Sequence, residues 1–222
     1  LDDVTKCLSF GQKPLIIIYA DDIIIVAPSL CLLQKLFDKC VQELNWLGMS
    51  INVKKSCCMR IGPRCDAVCA CINTIDGGQL PWVSEVRYLG VYIVQSRHFK
   101  GALHEHKKSF FRSVNAIFGK VGRVAADDVI LQLIFSKCMP VLLYGLETLP
   151  LNKSDLQSLD FSVNRLMMKL FKTSDINIVE ECLVYFEFQL PSELLNKRRS
   201  KFLEQYSNSL NCLCCYFSVT SV

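Results

Sequence analysis

Residues 15–26 read Leu15-Ile16-Ile17-Ile18-Tyr19-Ala20-Asp21-Asp22-Ile23-Ile24-Ile25-Val26, and this stretch decides the fold of the first half of the chain. Two short β-branched runs joined at a polar point predict a hairpin of buried strands. Two carboxylates beside an apolar core are costly unless something compensates their charge, and a divalent cation is the natural compensation. An exposed hairpin turn is the alternative, since Asp is common in turns.

Adjacent aspartates occur at two other places in the chain, and these serve as internal comparisons. Asp127-Asp128 precedes an apolar helical run, so its charge fits the first turn of a helix, where it complements the helix dipole. Asp2-Asp3 stands in a polar setting and is best interpreted as structural. Only Asp21-Asp22 has apolar strands on both sides, which favours a functional role for this pair.

The rest of the first half predicts an α+β arrangement. Pro28-Ser29 is expected to open a helix with Ser29 as N-cap, and Gly48 to end it. Its apolar stripe consists of Leu30, Leu33, Phe37, Cys40, Val41, Leu44 and Leu47. A strand is predicted from Ser50 to Ile61, followed by a turn at Asp76-Gly77-Gly78 and a hairpin of Leu80–Val83 with Arg87–Val94.

The second half predicts helices. A basic amphipathic helix is expected from Ala102 to Phe118, and an apolar one from Asp127 to Tyr144 that breaks or kinks near Pro140. A third helix is predicted to start at Ser154, with Ser154 and Gln157 at capping-box spacing and an apolar face running Leu156, Leu159, Val163, Leu166, Met167, Leu170. A last helix starts near Pro191-Ser192 and carries Lys197, Arg198, Arg199 and Lys201.

Composition narrows the class of protein. The chain is 51% hydrophobic and 10% aromatic, which suits a globular fold. We expect an intracellular protein that is not secreted, because no signal sequence is visible and thirteen cysteines is an odd count for a disulfide framework. No membrane segment is expected, since Leu15–Ala27 is too short and carries two carboxylates. Two cysteine groups, Cys65, Cys69, Cys71 and Cys212, Cys214, Cys215, lack a CxxC pair and a nearby His, which argues against zinc.

Charge is concentrated in one segment. The net charge is +4, yet residues 97–123 hold seven basic residues against one acid, Glu105, so the rest of the chain sums to −2. Such a concentration suits a polyanion, although a solvated helix face is the commoner explanation of a charge run.

Several motifs occur in an order that resembles a known family. Tyr19-Ala20-Asp21-Asp22, Ala27-Pro28-Ser29, Gly48, Asn52-Val53-Lys54-Lys55-Ser56 and Arg87-Tyr88-Leu89-Gly90-Val91 together resemble the second half of the palm of a reverse transcriptase. Met139 to Glu147 is similar to the region after the polymerase domain in non-LTR (LINE-type) retrotransposons. The resemblance implies the C-terminal part of a palm over residues 1–96, a helical thumb or post-polymerase region over 97–205, and a tail of uncertain structure over 206–222.

The resemblance also implies roles for particular residues. Asp21 would be the main ligand and Asp22 its partner for two Mg²⁺ ions in template-directed DNA synthesis, with an RNA template, a DNA primer and deoxynucleoside triphosphates as partners. Lys55 corresponds to a lysine near the incoming nucleotide, while Tyr19 and Ala20 would border the primer end. Tyr88, Leu89 and Gly90 correspond to the hairpin that grips the primer; a sheet edge with a glycine bend is the alternative. Phosphates of the duplex would be contacted by Lys107, Lys108 and Arg112.

The family pattern is incomplete in this chain. Family polymerases use a third carboxylate from an upstream strand and an upstream glycine-rich motif containing glutamine, and neither occurs here. We therefore expect that the chain alone does not polymerise. The alternatives are a nucleic-acid-binding remnant without catalysis, a metal-dependent phosphodiesterase using the same aspartates, and a purely structural protein. His98, His104 and His106 lie in the basic segment, where phosphate contact or solvent exposure explains them better than metal binding.

Overall fold

The computed structural model describes residues 14–75, 77–121, 124–211 and 214. The chain forms two compact units, one of residues 1–86 with 95–98 and one of residues 87–94 with 99–222. The α+β class expected from the sequence is confirmed, because small antiparallel sheets precede a set of helices. The domain boundaries expected after residues 96 and 205 stay predictions.

The first unit begins with the hairpin that the sequence predicted. Strands β1 (Leu15–Tyr19) and β2 (Asp22–Val26) pair antiparallel with Tyr19 opposite Asp22, so Ala20-Asp21 is a two-residue turn. Helix α1 (Leu30–Trp46) starts where expected, with the Ser29 hydroxyl accepting a hydrogen bond from the Leu32 N–H at 3.4 Å. Gly48 follows the helix with a φ of 73°, a left-handed conformation that glycine adopts without cost.

The predicted strand from Ser50 to Ile61 is wrong. The side-chain oxygen of Asn52 accepts hydrogen bonds from the Lys54 and Lys55 amides at 3.1 and 3.3 Å, and this local turn replaces an extended conformation. In the second half of the segment no strand forms, and the β-pairing found there among the described residues is a single isolated bridge between Cys58 and Trp82.

The predicted hairpin of Leu80–Val83 with Arg87–Val94 is also wrong, because the two segments belong to different sheets. Strands β3 (Ile72–Asn73) and β4 (Gln79–Leu80) pair across the predicted glycine turn, and Gly77 donates a 3.0 Å hydrogen bond to the Thr74 carbonyl. The predicted strand Arg87–Val94 is divided by a turn at Leu89-Gly90 into β5 (Glu85–Tyr88) and β6 (Val91–Val94). A third short strand, β7 (Lys100–Gly101), pairs antiparallel with β6. Asp76 lies outside the described residues.

The second unit has a helical core. Helix α2 (Leu103–Val121) confirms the predicted basic helix, and α3 (Asp127–Leu133) starts at the Asp127-Asp128 pair, as expected for charges in a first turn. The predicted break near Pro140 is confirmed as a π-helical segment (Ile134–Cys138) followed by the short helix α4 (Met139–Leu143). A 3₁₀ turn (Leu146–Thr148) leads on to the next helix.

One stretch of this unit, Asp127–Thr148, is long and apolar enough to cross a membrane. The sequence interpretation considered only Leu15–Ala27 and overlooked it. Length and composition alone are weak evidence for a span, and Ile134 and Leu142 here are 0% exposed in the core of the unit. Packing in the core accounts for these buried residues, whereas Val129 and Phe135 of the same stretch are 45% and 43% exposed.

Three further helices complete the described part of the second unit: α5 (Lys153–Leu170), α6 (Ile176–Tyr185) and α7 (Pro191–Ser207). The apolar face predicted for α5 is confirmed, but the capping box is formed by Asn152 and Asp155, two residues earlier than predicted. Helix α6 was not predicted, and α7 confirms the expected start at Pro191. Asp2-Asp3, Arg123, Cys212 and Cys215 lie outside the described residues.

Candidate active site

The turn between β1 and β2 has a strained backbone. Ala20 has a φ of 49°, in the left-handed region that two-residue hairpin turns require but that alanine adopts at a cost of about 1–2 kcal/mol. Asn or Gly would fill this position more easily. Strained residues of this kind persist only where the surrounding structure holds them in place, and they are found most often at functional sites.

The two faces of the hairpin differ sharply. Ile16 is 8% exposed and packs with Ile23 and Ile25 against helix α1. Because residues paired across a ladder share a face and neighbours alternate, Tyr19 and Asp22 belong to the opposite face. The helix therefore supports the hairpin from one side and leaves the side of Asp22 open.

The argument that Asp21 and Asp22 are pressed against an apolar core is wrong, since both residues are exposed. The apolar contacts of the hairpin lie toward its base, at Ile16, whereas Tyr19 at the turn is 61% exposed. Desolvation does not force a cation to this turn. A metal ion at this turn would be held by carboxylates that are accessible and chemically suited to it, not by any need to neutralise buried charge.

Asp21 and Asp22 fit part of a magnesium site. Carboxylate oxygens are ligands that Mg²⁺ prefers, usually one or two from the protein together with waters and substrate phosphates. Within the described residues, neither side chain is held by a hydrogen bond or an ion pair, so both remain available as ligands. No group of three or more His, Cys, Asp or Glu that could hold a metal is found in that part of the chain. Further ligands would have to come from the substrate, water or another segment.

Lys55 lies in the turn organised by Asn52. Its amide donates to both the backbone and the side-chain oxygen of Asn52, at 3.0 and 3.3 Å, and its side chain is exposed. Among the described residues no ion pair joins Lys55 to Asp21 or Asp22. Its expected role near the nucleotide stays a prediction.

In the second unit, the Tyr88–Gly90 motif forms a tight turn. Leu89 and Gly90 have φ values of 47° and 85°, the pair of positive angles found in two-residue hairpin turns. Leu89 is 42% exposed, so the turn presents an apolar side chain to solvent. The Tyr144 ring lies against Gly90, with Cε1 only 2.8 Å from where a Cβ on that glycine would stand. Sequence reasoning did not single out Tyr144, and an aromatic residue before a helix-ending glycine was the available signal.

The three basic residues expected to meet phosphates are not equivalent. The Lys107 ammonium donates a hydrogen bond to the Ser158 hydroxyl on α5, which competes with any phosphate contact. Lys108 is exposed and pairs with Glu105 at 3.1 Å, and this hydrogen bond holds the pKa of Glu105 below its usual range. Arg112, one turn further along α2, is exposed. Lys108 and Arg112 are therefore the more exposed pair, and a phosphate would compete with Glu105 for Lys108.

The interpretation of His106 as exposed or phosphate-binding is wrong. It is 5% exposed, and burial lowers the pKa of its ring, while backbone hydrogen bonding to Val141 and Leu142 raises it to a lesser extent. His106 lies on the inward side of α2, where a neutral ring fits and a cation does not. His98 and His104 are exposed, as expected.

The described cysteines behave as thiols. Burial raises the pKa of Cys58 to about 11, with a smaller contribution from the neighbouring Cys57 and Cys71. Arg60 donates hydrogen bonds to the Cys69 sulfur at 2.9 Å and to the Ala67 carbonyl at 3.3 Å.

Comparison with known proteins identifies a class for the first part of the chain. Residues 3–93 match the family described as reverse transcriptase (RNA-dependent DNA polymerase). This segment includes the Tyr19–Asp22 turn, Lys55 and the Tyr88–Gly90 turn, and it supports a nucleotidyltransferase-type function of the reverse transcriptase kind. No curated protein and no solved structure is significantly similar to the chain.

Proposed function

We propose that this chain carries the catalytic turn of an RNA-directed DNA polymerase from a non-LTR retrotransposon. The observation that carries the proposal is the strained two-residue turn at Ala20-Asp21, which presents Asp21 and Asp22 to solvent inside the segment that matches reverse transcriptases. The first unit then corresponds to part of a palm and the helical unit to a thumb, and the protein acts inside the cell.

Each residue has a defined task in this proposal. Two Mg²⁺ ions, when bound, supply charge neutralisation at the reacting phosphates and orient the attacking and leaving oxygens. Asp21 provides the main carboxylate and Asp22 its partner. Lys55 lies near the leaving pyrophosphate of the incoming deoxynucleoside triphosphate. The Tyr88–Gly90 turn contacts the DNA primer on its RNA template, and Lys108 and Arg112 contact phosphates of that duplex.

Metal binding by the turn can be tested with Mn²⁺ as the probe, counted by electron paramagnetic resonance. The chain offers a matched control, because Asp127-Asp128 is also an adjacent pair but lies in the first turn of α3. We expect Asp21→Asn with Asp22→Asn to remove bound Mn²⁺, and Asp127→Asn with Asp128→Asn to leave it unchanged. Equal Mn²⁺ binding by both double variants would refute the metal site.

The isolated chain is proposed to lack polymerase activity. Two carboxylates without a third provide too few protein ligands to hold two metal ions in fixed positions. Purified chain given a primed RNA template, Mg²⁺ and deoxynucleoside triphosphates should not extend the primer. Extension that depends on Mg²⁺ and disappears in Asp21→Asn would overturn this part of the proposal. An upstream open reading frame that encodes the third carboxylate would support the interpretation that this chain is part of a working polymerase.

A second candidate function is nucleic-acid binding without catalysis. It is favoured by the exposed side chains of Lys108 and Arg112 on one face of α2. Binding of an RNA–DNA duplex should weaken as salt rises, and each lost phosphate contact should reduce the slope of log K against log salt by about 0.9. Removing both side chains should therefore lower the magnitude of this slope. Duplex binding that does not change when Mg²⁺ is added would favour binding without catalysis, and binding that depends on Mg²⁺ would favour the metal site.

A further inference from the structure

The Tyr88–Gly90 turn is held by a second segment of the same unit, residues 144–149. Three glycines allow residues 144–149 to approach this turn and the adjoining strands β6 and β7 closely. A Cβ on Gly90 would lie 2.8 Å from Tyr144 Cε1, one on Gly145 would lie 2.6 Å from Val91 Cγ2, and one on Gly101 would lie 2.3 Å from Leu149 Cδ1. Each value is below the distance that real Cβ contacts show, so no larger residue fits at these positions without a shift.

The supporting segment is anchored on both sides of Tyr144. Tyr144 follows the last residue of α4, and Gly145 after it has a φ of 66°. The Thr148 hydroxyl donates a 2.7 Å hydrogen bond to the Gly145 carbonyl, and Leu149 is 3% exposed in the core. The backbone that carries the Tyr144 ring is thus fixed by the helical core.

The Tyr144 ring serves the turn rather than the core. Its side chain is 55% exposed, although Leu142 and Leu143 just before it are fully buried. One side of the ring covers Gly90, which has no side chain of its own to pack. Leu89 beside it is held at a φ of 47°, a conformation that a leucine keeps only when its neighbours hold it there.

We propose that Tyr144 is a positioning residue, which fixes the Tyr88–Gly90 turn where that turn contacts the end of the DNA primer. This inference rests on the proposed function, because it assumes that the turn meets the primer. Tyr144 acts through Gly90, and its aromatic ring, not its hydroxyl, makes the contact.

The experiment is a photo-crosslink from the primer end to the full chain. An RNA–DNA duplex carries 4-thiothymidine as the last primer nucleotide, and trypsin, cutting after Arg87 and Arg97, releases the turn as peptide 88–97. The variants are Tyr144→Ala, Tyr144→Phe and Gly90→Ala. Tyr185→Ala is the matched control, because Tyr185 is an 81% exposed tyrosine on α6 of the same unit. Far-ultraviolet circular dichroism and duplex affinity are measured for every variant.

We expect Tyr144→Ala to lower the yield of crosslinked peptide 88–97 per bound duplex about tenfold, since a small misplacement of a contacting group costs that much or more. Tyr144→Phe should keep the yield, because the ring is retained. Tyr185→Ala should stay within about twofold of the parent chain, as isolated surface substitutions do. Gly90→Ala should also lower the yield, because its Cβ would meet the Tyr144 ring and its φ of 85° is strained for any residue with a side chain, so it reports on the turn as a whole. If Tyr144→Ala does not fold, Tyr144→Leu takes its place, since it removes the ring but keeps a large apolar side chain, and it should lower the yield as well.

The outcomes separate the two proposals. If the parent chain crosslinks through peptide 88–97 and folded Tyr144→Ala gives the same yield, the role of Tyr144 is refuted. The proposed function would then still stand. A parent chain that binds the duplex without crosslinking through this peptide would refute the primer contact, and the positioning role with it. Loss of yield in Tyr144→Phe would refute the assignment of the contact to the ring.

Discussion

Gly101→Ala tests how tightly β7 is packed against the helical unit. Gly101 is buried, and a Cβ there would lie 2.3 Å from Leu149 Cδ1 and 3.3 Å from the Tyr92 carbonyl oxygen. Leu149 is 3% exposed, so its side chain has no room to move toward solvent. The Tyr92 carbonyl is held by a 2.8 Å hydrogen bond from the Ala102 amide. The added methyl group therefore meets neighbours that cannot give way cheaply.

The expected loss is about 1–3 kcal/mol in the free energy of unfolding, the usual cost of one extra carbon in a packed core. A loss of about 2 kcal/mol lowers the urea midpoint by roughly 1 M for a chain of this size. Gly119→Ala is the matched control, because Gly119 lies in α2 with nothing within 4 Å of the added Cβ. It should stabilise the chain by about 0.5–1 kcal/mol through helix propensity.

The assay is urea unfolding followed by circular dichroism at 222 nm, extended to a double-mutant cycle. Leu149→Ala alone should cost about 2–5 kcal/mol, as large-to-small core substitutions do. In that background Gly101→Ala should cost little, because the clashing carbon atoms are gone. The reasoning is refuted if Gly101→Ala is as stable as the parent chain, or if its cost is the same with and without Leu149.

Three further predictions concern other parts of the chain. Burial lowers the pKa of His106, so the unfolded state takes up a proton first as pH falls below about 6.5, and stability should decline there by at most about 1.4 kcal/mol per pH unit. His106→Gln should flatten this dependence in urea titrations from pH 7.5 to 5. Asn152→Ala removes the cap of α5 and should lower the free energy of unfolding by about 1 kcal/mol. Val26→Lys, at a 51% exposed position on the hairpin face that α1 does not cover, should reduce hydrophobic-dye binding and aggregation, because it removes exposed apolar surface. Ile25→Lys next to it, where the side chain packs against α1, should unfold the first unit. A parent chain that is monodisperse and binds no dye would contradict this prediction.

Helix positions in this chain were predictable where local signals were strong. Ser29 opens α1 and Gly48 follows it, because capping and left-handed preferences act within a few residues. The strand predicted across Ser50–Ile61 failed for the same kind of reason, since the Asn52 side chain competes locally for two backbone amides. Residue type indicated extended structure, and one hydrogen-bonding side chain overrode it.

Burial was less predictable than secondary structure. The basic segment suggested the same exposure for all three histidines, yet His106 lies four residues before Phe110 and eight before Val114, and this helical spacing puts it, unlike His104, on the buried side of α2. The capping box of α5 was displaced by two residues because Asn152 and Ser154 both suit an N-cap, and it is Asn152 that forms both hydrogen bonds of the box, with Asp155.

The orientation of the hairpin could not be read from the sequence at all. A run of isoleucines on both strands has no alternation, so it does not indicate which face meets the core. The packing of Ile16 and Ile25 on α1 shows which face of the hairpin meets the core. The strand register then places Asp22 on the face that α1 does not cover. Any further carboxylate, triphosphate or primer end that completes a metal site with Asp22 must therefore approach from the side opposite α1. A substitution such as Ile16→Asp, one residue out of phase with that face, would place its charge against the helix and supply no ligand.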